Sequence, residues 1–202
     1  LMENLERIGH VRPGTELAPL ASAPWGYRRR ARLSVKRVDK KGRVLVGFRE
    51  RSAPYVADLH ECPVLAPPAN RLIDPLAVMV SELSIAARVP QVEVAVAGNA
   101  CALVLRVLDA PTAADLDRMR AFERDEGVRL YLQPGGPSSV APLSPDPEPL
   151  RYELGSSGLT IEFEPTDFIQ VNATLNETMV ARAVAMLEPQ PASHVLDLFC
   201  GL

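Results

Sequence analysis

The side chains with the clearest chemistry are basic residues in the first quarter of the chain. Residues 28–51 hold eleven of the 22 Lys and Arg but only two acids, which gives this segment a charge of +9. The other 178 residues sum to −12. Strand alternation in "YRRRARLSVKRV" places one set of side chains on a single face: Arg28, Arg30, Arg32 and Lys36. Guanidinium groups about 7 Å apart can follow the phosphates of RNA or DNA, although a solvated face is the alternative.

The three cysteines, Cys62, Cys101 and Cys200, are too few and too scattered for a disulfide framework, so we expect a reducing, cytoplasmic setting. Cys62 lies in "HECP", and a cysteine before a proline is found at iron–sulfur ligands. A cluster needs four ligands, however, and spacing alone favours a buried free thiol at Cys62. No catalytic triad and no glycine-rich phosphate loop can be argued from the spacing.

A third candidate is Gln170, in the segment "DFIQVN" (167–172). Its amide lies between two apolar residues at a junction that leads into a predicted helix. Such a glutamine can hydrogen-bond a ligand, and Phe168 can stack on a ring. An exposed strand position is an equally good interpretation.

These side chains need elements to position them, and the pattern predicts a sheet with helices on one face. A basic hairpin (27–49) turns at "DKKG", and a helix begins with Asp74 as N-cap and Pro75 at the first helical position. Two strands pair around Gly98–Asn99. A helix then begins at Thr112, which resembles a capping box with Asp115, and ends at Gly127, and a strand follows. This order indicates an α+β sandwich.

The second half of the chain is predicted to contain a proline-rich segment, a hairpin, a helix and a strand. Residues 134–149 contain six prolines, which predicts a mobile loop or linker. A hairpin around Gly155–Gly158 follows, then a helix over about 173–187 with Asn172 as its N-cap, and a closing buried strand in "HVLDLF" (194–199). No apolar run is long enough to span a bilayer, and the N-terminal residues do not form a secretory signal, so we expect no membrane partner.

Several segments together resemble a known family: "PWGYRRRARLSV", "VGFRE", "HECPVLAP", "FIQVNATLNETMVARAV" and "VLDLFCGL". In this order they are similar to the iron–sulfur-containing 23S ribosomal RNA (uracil-5-)-methyltransferases. The resemblance covers nearly the whole chain and is most specific at its two ends. It implies a central mixed α+β / α/β sheet (1–165), with a cluster-ligand turn at 60–65, and then the first elements of a Rossmann-like methyltransferase domain (166–202).

The resemblance also implies cofactors and residue roles. The cofactors are S-adenosylmethionine and, in the full-length protein only, a 4Fe-4S cluster to which Cys62 is the fourth ligand. Gln170, Phe199 and Gly201 match positions that bind S-adenosylmethionine, and Arg32 matches the RNA-facing surface. The partner is 23S ribosomal RNA, with no obligatory protein partner evident. The implied reaction begins with a cysteine thiolate adding to C6 of a flipped uracil, after which C5 takes the methyl group.

The nucleophilic cysteine and the general base of this family lie beyond the first glycine loop, so none is expected among these 202 residues. We therefore interpret the chain as an inactive fragment of an enzyme. Two alternatives stay open: a methyltransferase for tRNA or another ribosomal uridine, and a non-catalytic RNA-binding adaptor.

Overall fold

The structure is a computed structural model that describes residues 2–145, 147–155 and 157–198. Its helices are α1 (Met2–Arg7), α2 (Ile73–Ser81), α3 (Ala113–Glu126) and α4 (Ala173–Leu187). Its strands are β1 (Arg30–Val38), β2 (Arg43–Gly47), β3 (Gln91–Val96), β4 (Cys101–Arg106), β5 (Arg129–Gln133), β6 (Ala141–Pro142), β7 (Leu150–Leu154) and β8 (Leu159–Phe163). Among these described helices, none has both the length and the apolar character needed to cross a bilayer.

Six strands form one sheet in the order β2-β1-β3-β4-β5-β6. Only β4 and β5 run parallel, because α3 carries the chain from the end of one to the start of the other. The remaining pairs are antiparallel, and the β3–β4 hairpin turns at Gly98–Asn99 as the sequence predicts. The predicted mixed sheet is confirmed.

Helices α2 and α3 cover one face of this sheet and supply its main core. The apolar side of α2 is buried there with a residue just after it: Leu76, Met79, Val80 and then Leu83. The predicted N-cap of α2 is wrong, because Leu72 occupies that position and Asp74 and Pro75 lie inside the first turn. Proline is tolerated there because the N–H groups of a first turn have no helical acceptors. The Asp74 carboxylate instead meets His60 Nδ1 at 2.9 Å.

Helix α3 has the two ends that the sequence predicts. Thr112 and Asp115 form a reciprocal capping box, and Gly127 ends the helix with a φ of 64°. Asp115 is buried and also accepts hydrogen bonds from the backbone N–H (2.7 Å) and hydroxyl (2.6 Å) of Ser84. This carboxylate therefore ties the start of α3 to the loop that follows α2.

The β7–β8 hairpin covers half of the opposite face of the sheet. A smaller core forms beneath it from β3, β4, β5, the hairpin itself and the segment after it: Ala95, Ala102, Val104, Tyr131, Leu150, Phe163 and Ile169. The rings of Tyr152 and Phe163 meet edge to face, with 5.8 Å between their centroids. The hairpin leaves Arg32 and Lys36 of β1 exposed on this face, whereas Leu45 of β2 on the same face is buried.

Within the proline-rich segment, which the sequence predicts to be a mobile loop or linker, Ala141–Pro142 pairs with β5, and the Arg106 guanidinium donates to the carbonyls of Gln133 and Gly135 at 2.8 and 2.7 Å. One prediction for the second half of the chain is wrong: the closing strand is absent from residues 194–198, the part of it that is described. A strand requires a hydrogen-bonding neighbour, and no described strand lies beside these residues. Helix α4 and its Asn172 cap are confirmed.

Candidate nucleic-acid interface

The exposed part of this sheet face is where the basic strand β1 presents its side chains. The predicted alternation of β1 is confirmed, since Ala31, Leu33 and Val35 are buried under the helices. On the other face Arg32 and Lys36 are exposed and Arg30 is half-buried. Arg28 lies before the strand, half-buried, in isolated bridges to Leu65 and Asn172. The exposed part of the predicted basic row is therefore shorter than four residues.

A carboxylate from the neighbouring strand enters this basic surface. Glu93 of β3 lies directly opposite Arg32 in the register, and its Oε1 accepts from Arg32 Nε and Nη2 at 3.1 and 2.9 Å. Its Oε2 lies 3.6 Å from Arg30 Nη2. Glu93 was not predicted from the sequence, although an acid inside the apolar run "QVEVAVAG" is a usable signal. The result is an Arg30–Glu93–Arg32 network with one positive charge in excess.

The two arginines of this network have different exposures. The side chain of Arg32 is 69% exposed, whereas that of Arg30 is 14% exposed and also donates to the Pro165 carbonyl. Burial lowers the pKa of the Arg30 guanidinium, and the carboxylates of Glu93 and Asp167 partly offset this effect. Arg32 is therefore accessible to a ligand, whereas Arg30 mainly stabilises the surface through its contacts with Glu93 and the Pro165 carbonyl.

A further arginine, which the sequence pattern did not single out, connects the start of the basic strand to the C-terminal segment. Arg29 is buried, donates from Nε to the Gln170 carbonyl at 2.8 Å, and lies 4.2 Å from the centroid of the Tyr152 ring. Burial lowers the pKa of this guanidinium as well. Its position on the apolar side of the alternation was the signal for a buried partner. This contact is a cation–π interaction.

The tip of the β1–β2 hairpin carries additional cations. Lys41 and Arg43 both bind Asp58, and the hydrogen bond from Lys41 is the main cause that lowers the pKa of the Asp58 carboxyl. Further along the same surface, Arg49 Nε donates to Ser34 Oγ at 3.3 Å. The open face thus continues from Arg32 towards the hairpin tip.

The residues expected to bind S-adenosylmethionine are only partly described. The side chain of Gln170 is exposed, and the neighbouring Phe168 is exposed as well. Phe199 and Gly201 lie outside the described residues. The described residues around Gln170 therefore do not enclose a cofactor, and no chemical step can be derived from them.

The predicted metal ligand Cys62 is a buried side chain in the turn before α2. Its backbone N–H donates to the Asn70 carbonyl at 2.9 Å. Within the described ranges no three His, Cys, Asp or Glu side chains gather in a way that could hold a metal. The residues present therefore do not form a complete cluster site. Cys101 lies in the core as expected, where burial raises the pKa of its thiol to about 12.

The chain also has an apolar groove between α2 and α3, on the opposite side of the sheet. Its volume is about 850 Å³, and its rim carries acidic side chains from both helices: Asp74, Glu82, Asp117, Asp125 and Glu126. Its one arginine, Arg118, is paired with Glu82 at 2.8 Å. An acidic rim repels phosphates, so the basic face of the sheet is the better nucleic-acid interface.

Comparison with known proteins finds similar sequences and one similar fold. No family model matches the chain. It is 49% identical over 204 residues to the 23S rRNA (uracil(1939)-C(5))-methyltransferase RlmD of Alkalilimnicola ehrlichii, and 46% identical to the RlmD proteins of Cupriavidus pinatubonensis and Thiobacillus denitrificans. The chain is a relative of these methyltransferases. All of its residues are covered by each match, and it spans 44–47% of the length of these three relatives.

A solved structure shares the fold at low sequence identity. The Pyrococcus abyssi tRNA (uracil-54, C5)-methyltransferase, in complex with S-adenosyl-L-homocysteine, superposes with a TM-score of 0.57 and 16% identity. The match covers 81% of this chain and 42% of the other. This likeness supports the mixed sheet with its helices.

Proposed function

We propose that this chain is the RNA-facing part of an S-adenosylmethionine-dependent enzyme that methylates C5 of a uridine in 23S ribosomal RNA. The observation that carries the proposal is the 46–49% identity, along the whole chain, to methyltransferases with that named activity. Under this proposal the RNA-binding central domain extends to about residue 165, and the catalytic domain begins after it. The catalytic cysteine and base belong to the part of the protein outside these residues.

The substrate assignment has a direct test in cells. In a strain that lacks the gene, C5-methyluridine should disappear from one site in 23S ribosomal RNA and remain in tRNA. Nucleoside mass spectrometry of the two purified RNA pools measures both. Loss from tRNA alone would identify a tRNA enzyme, and loss from neither pool would favour a non-catalytic adaptor.

Within this function, the open face of β1 binds the RNA backbone. Arg32 and Lys36 extend into solvent, and Arg28 and Arg30 contribute positive charge from half-buried positions. Salt bridges to phosphate release counterions, so affinity for RNA should fall steeply with salt concentration. Because phosphates are the same along every strand, these contacts position the RNA and do not read its sequence.

This surface can be tested by a charge-matched pair of double variants. Arg32→Ala with Lys36→Ala should weaken binding of a 23S-derived RNA fragment and reduce the slope of log affinity against log salt by about 1.4–1.8, the value for two phosphates. The control, Arg88→Ala with Arg118→Ala, removes the same number of positive charges from two exposed arginines elsewhere on the surface, each paired with a carboxylate. Fluorescence anisotropy at several salt concentrations measures the affinities. An equal effect of both double variants would contradict the assignment of this face.

The cofactor roles are residue-level proposals. We propose that Cys62 is one thiolate ligand of a 4Fe-4S cluster in the full-length protein, and that Gln170, Phe199 and Gly201 contact S-adenosylmethionine there. Iron and acid-labile sulfide analysis of the full-length protein should find a cluster in the wild type and none after Cys62→Ala. The 202-residue chain should contain no iron. Stoichiometric iron on this chain, or an intact cluster after Cys62→Ala, would overturn the assignment.

A further inference from the structure

The open basic face ends in a cleft at the tip of the β1–β2 hairpin. The cleft has a volume of about 640 Å³, which lies within the range of small-molecule sites. Its lining combines Lys36 and Lys40 of the hairpin with Tyr55 and Asp58 of the segment that follows, together with the buried side chains of Leu45 and Val56. A concave site with an apolar floor thus adjoins the proposed phosphate-binding surface.

The second wall of the cleft is a loop held on the sheet by backbone contacts. Arg49 and Val56 form an antiparallel bridge, and the Glu50 N–H donates to the Tyr55 carbonyl at 3.0 Å. Gly47 permits this close approach, since a Cβ there would lie 2.8 Å from the Ala57 carbonyl oxygen. The loop position is therefore fixed by the backbone, and Tyr55 is presented by a closed turn.

Tyr55 has an exposed aromatic ring, with 62% of the residue accessible. Proteins that bind single-stranded RNA use such rings as platforms on which unpaired bases stack. Within the described part of the chain, Lys36 and Lys40 of this cleft form no ion pair, whereas Lys41 is bound to Asp58. The cleft thus combines a stacking surface with two cations that can meet phosphates.

The remaining charges favour a nucleotide over a simple anion. Asp39, Glu50 and Asp58 also line the cleft, so its lining is close to electrically balanced. A small inorganic anion gains little from such a lining. A nucleotide, in contrast, has base and ribose donors for the carboxylates, a ring for Tyr55 and a phosphate for the lysines.

We propose that this cleft holds one unpaired nucleotide of the bound RNA, with its base stacked on Tyr55 and its phosphate at Lys36 and Lys40. The inference rests on the proposed function, because it places a second, base-contacting site on the same RNA surface. It makes the surface selective for RNA with an unpaired segment beside the phosphate track.

The test compares single-stranded and duplex RNA. Tyr55→Ala should weaken binding of a 12-nucleotide oligouridine between about 5-fold and 150-fold, the measured span for loss of one stacked base. Binding of a 12-base-pair RNA duplex should change less than about 2-fold. Tyr55→Phe keeps the ring and should retain the wild-type affinity for both. Leu108→Ala, an exposed apolar truncation outside the cleft, is the matched control and should leave both unchanged.

A crosslinking measurement gives an independent readout. Oligouridine containing 5-bromouridine should crosslink to Tyr55 under ultraviolet light, as identified by peptide mass spectrometry. Because Tyr55 is largely exposed, its variants should melt at the wild-type temperature, and this is checked first. Unchanged oligouridine affinity after Tyr55→Ala would overturn the inference, as would equal weakening of single-stranded and duplex RNA.

The failure of this inference is distinguishable from failure of the proposed RNA surface. Arg32 lies outside the cleft, so Arg32→Ala should weaken binding of both RNA forms. If Arg32→Ala weakens binding and Tyr55→Ala does not, the base site is wrong and the phosphate surface stands. If neither variant weakens binding, both assignments are wrong.

Discussion

Replacing Glu93 by glutamine should destabilise the folded chain far more than removing Arg32, the partner that Glu93 binds most closely. The substitution keeps the size of the side chain and removes its charge. Glu93 and Arg30 have side chains that are 11% and 14% exposed, respectively. Arg30 would therefore be left with a positive charge in a largely desolvated position, where burial already lowers the pKa of its guanidinium.

The magnitude follows from the exposure of each partner. Removing one partner of a fully buried ion pair costs about 3–5 kcal/mol. Here Asp167 also stabilises the Arg30 charge, and one end of the network is open to water, so we expect roughly 2–3 kcal/mol for Glu93→Gln. Arg32 is mostly exposed, and Arg32→Ala should cost below about 1 kcal/mol.

Urea unfolding followed by circular dichroism measures both free energies of unfolding at pH 7. For a chain of this length, the Glu93→Gln effect corresponds to a fall in melting temperature of about 4–12 °C. Arg88→Ala is the control, because it breaks an exposed pair with Asp109 on another surface and should behave like Arg32→Ala. Equal destabilisation by Glu93→Gln and Arg32→Ala would refute the argument that the buried Arg30 charge sets the cost.

Three further predictions concern the framework around this surface. Asp115→Asn should destabilise the chain by about 2–4 kcal/mol at pH 7. Burial acts to raise the pKa of Asp115, but its hydrogen bonds outweigh burial and hold this pKa below 3.8. The stabilisation is therefore present above pH 3.8 and is lost as the pH falls further. In urea unfolding, the free energy of unfolding should differ less between pH 7 and pH 3 for the variant than for the wild type. Gly47→Ala should cost about 1–3 kcal/mol by forcing the Ala57 carbonyl away, and faster proteolysis of residues 50–58 would report the released loop. Cys101, whose thiol pKa is raised to about 12, should resist N-ethylmaleimide at pH 8 until urea unfolds the chain, as read by peptide mass spectrometry.

The features that could be predicted from the sequence are those encoded within a few residues. The alternation of β1 assigned Arg32 and Lys36 to the open face because side chains of a strand alternate between two sides. The two ends of α3 could also be predicted from local signals, since a capping box and a left-handed glycine involve only neighbouring residues. The family was also recognisable, because its end motifs are short and specific.

The composition of the candidate site depended on contacts between distant parts of the chain. Glu93 enters the basic face from a strand 61 residues after Arg32, and only the β1–β3 register brings the two together. Arg29 finds its partners in Gln170 and Tyr152, more than 120 positions away. Hydrophobic periodicity reports which side of an element is buried, but it does not report which element covers it.

The same distinction applies to the second half of the chain. Six prolines in residues 134–149 predicted a mobile loop or linker, and within it Ala141–Pro142 pairs with the free backbone groups at the edge of β5. The apolar run at 194–198 predicted a strand, but a strand forms only where a neighbouring strand supplies hydrogen-bond partners. Local sequence thus determined which residues are apolar, basic or helix-capping. The tertiary structure decided which charges are paired, which edges are extended and where Tyr55 meets the basic surface, because those outcomes depend on which separate segments of the chain pair through their backbones.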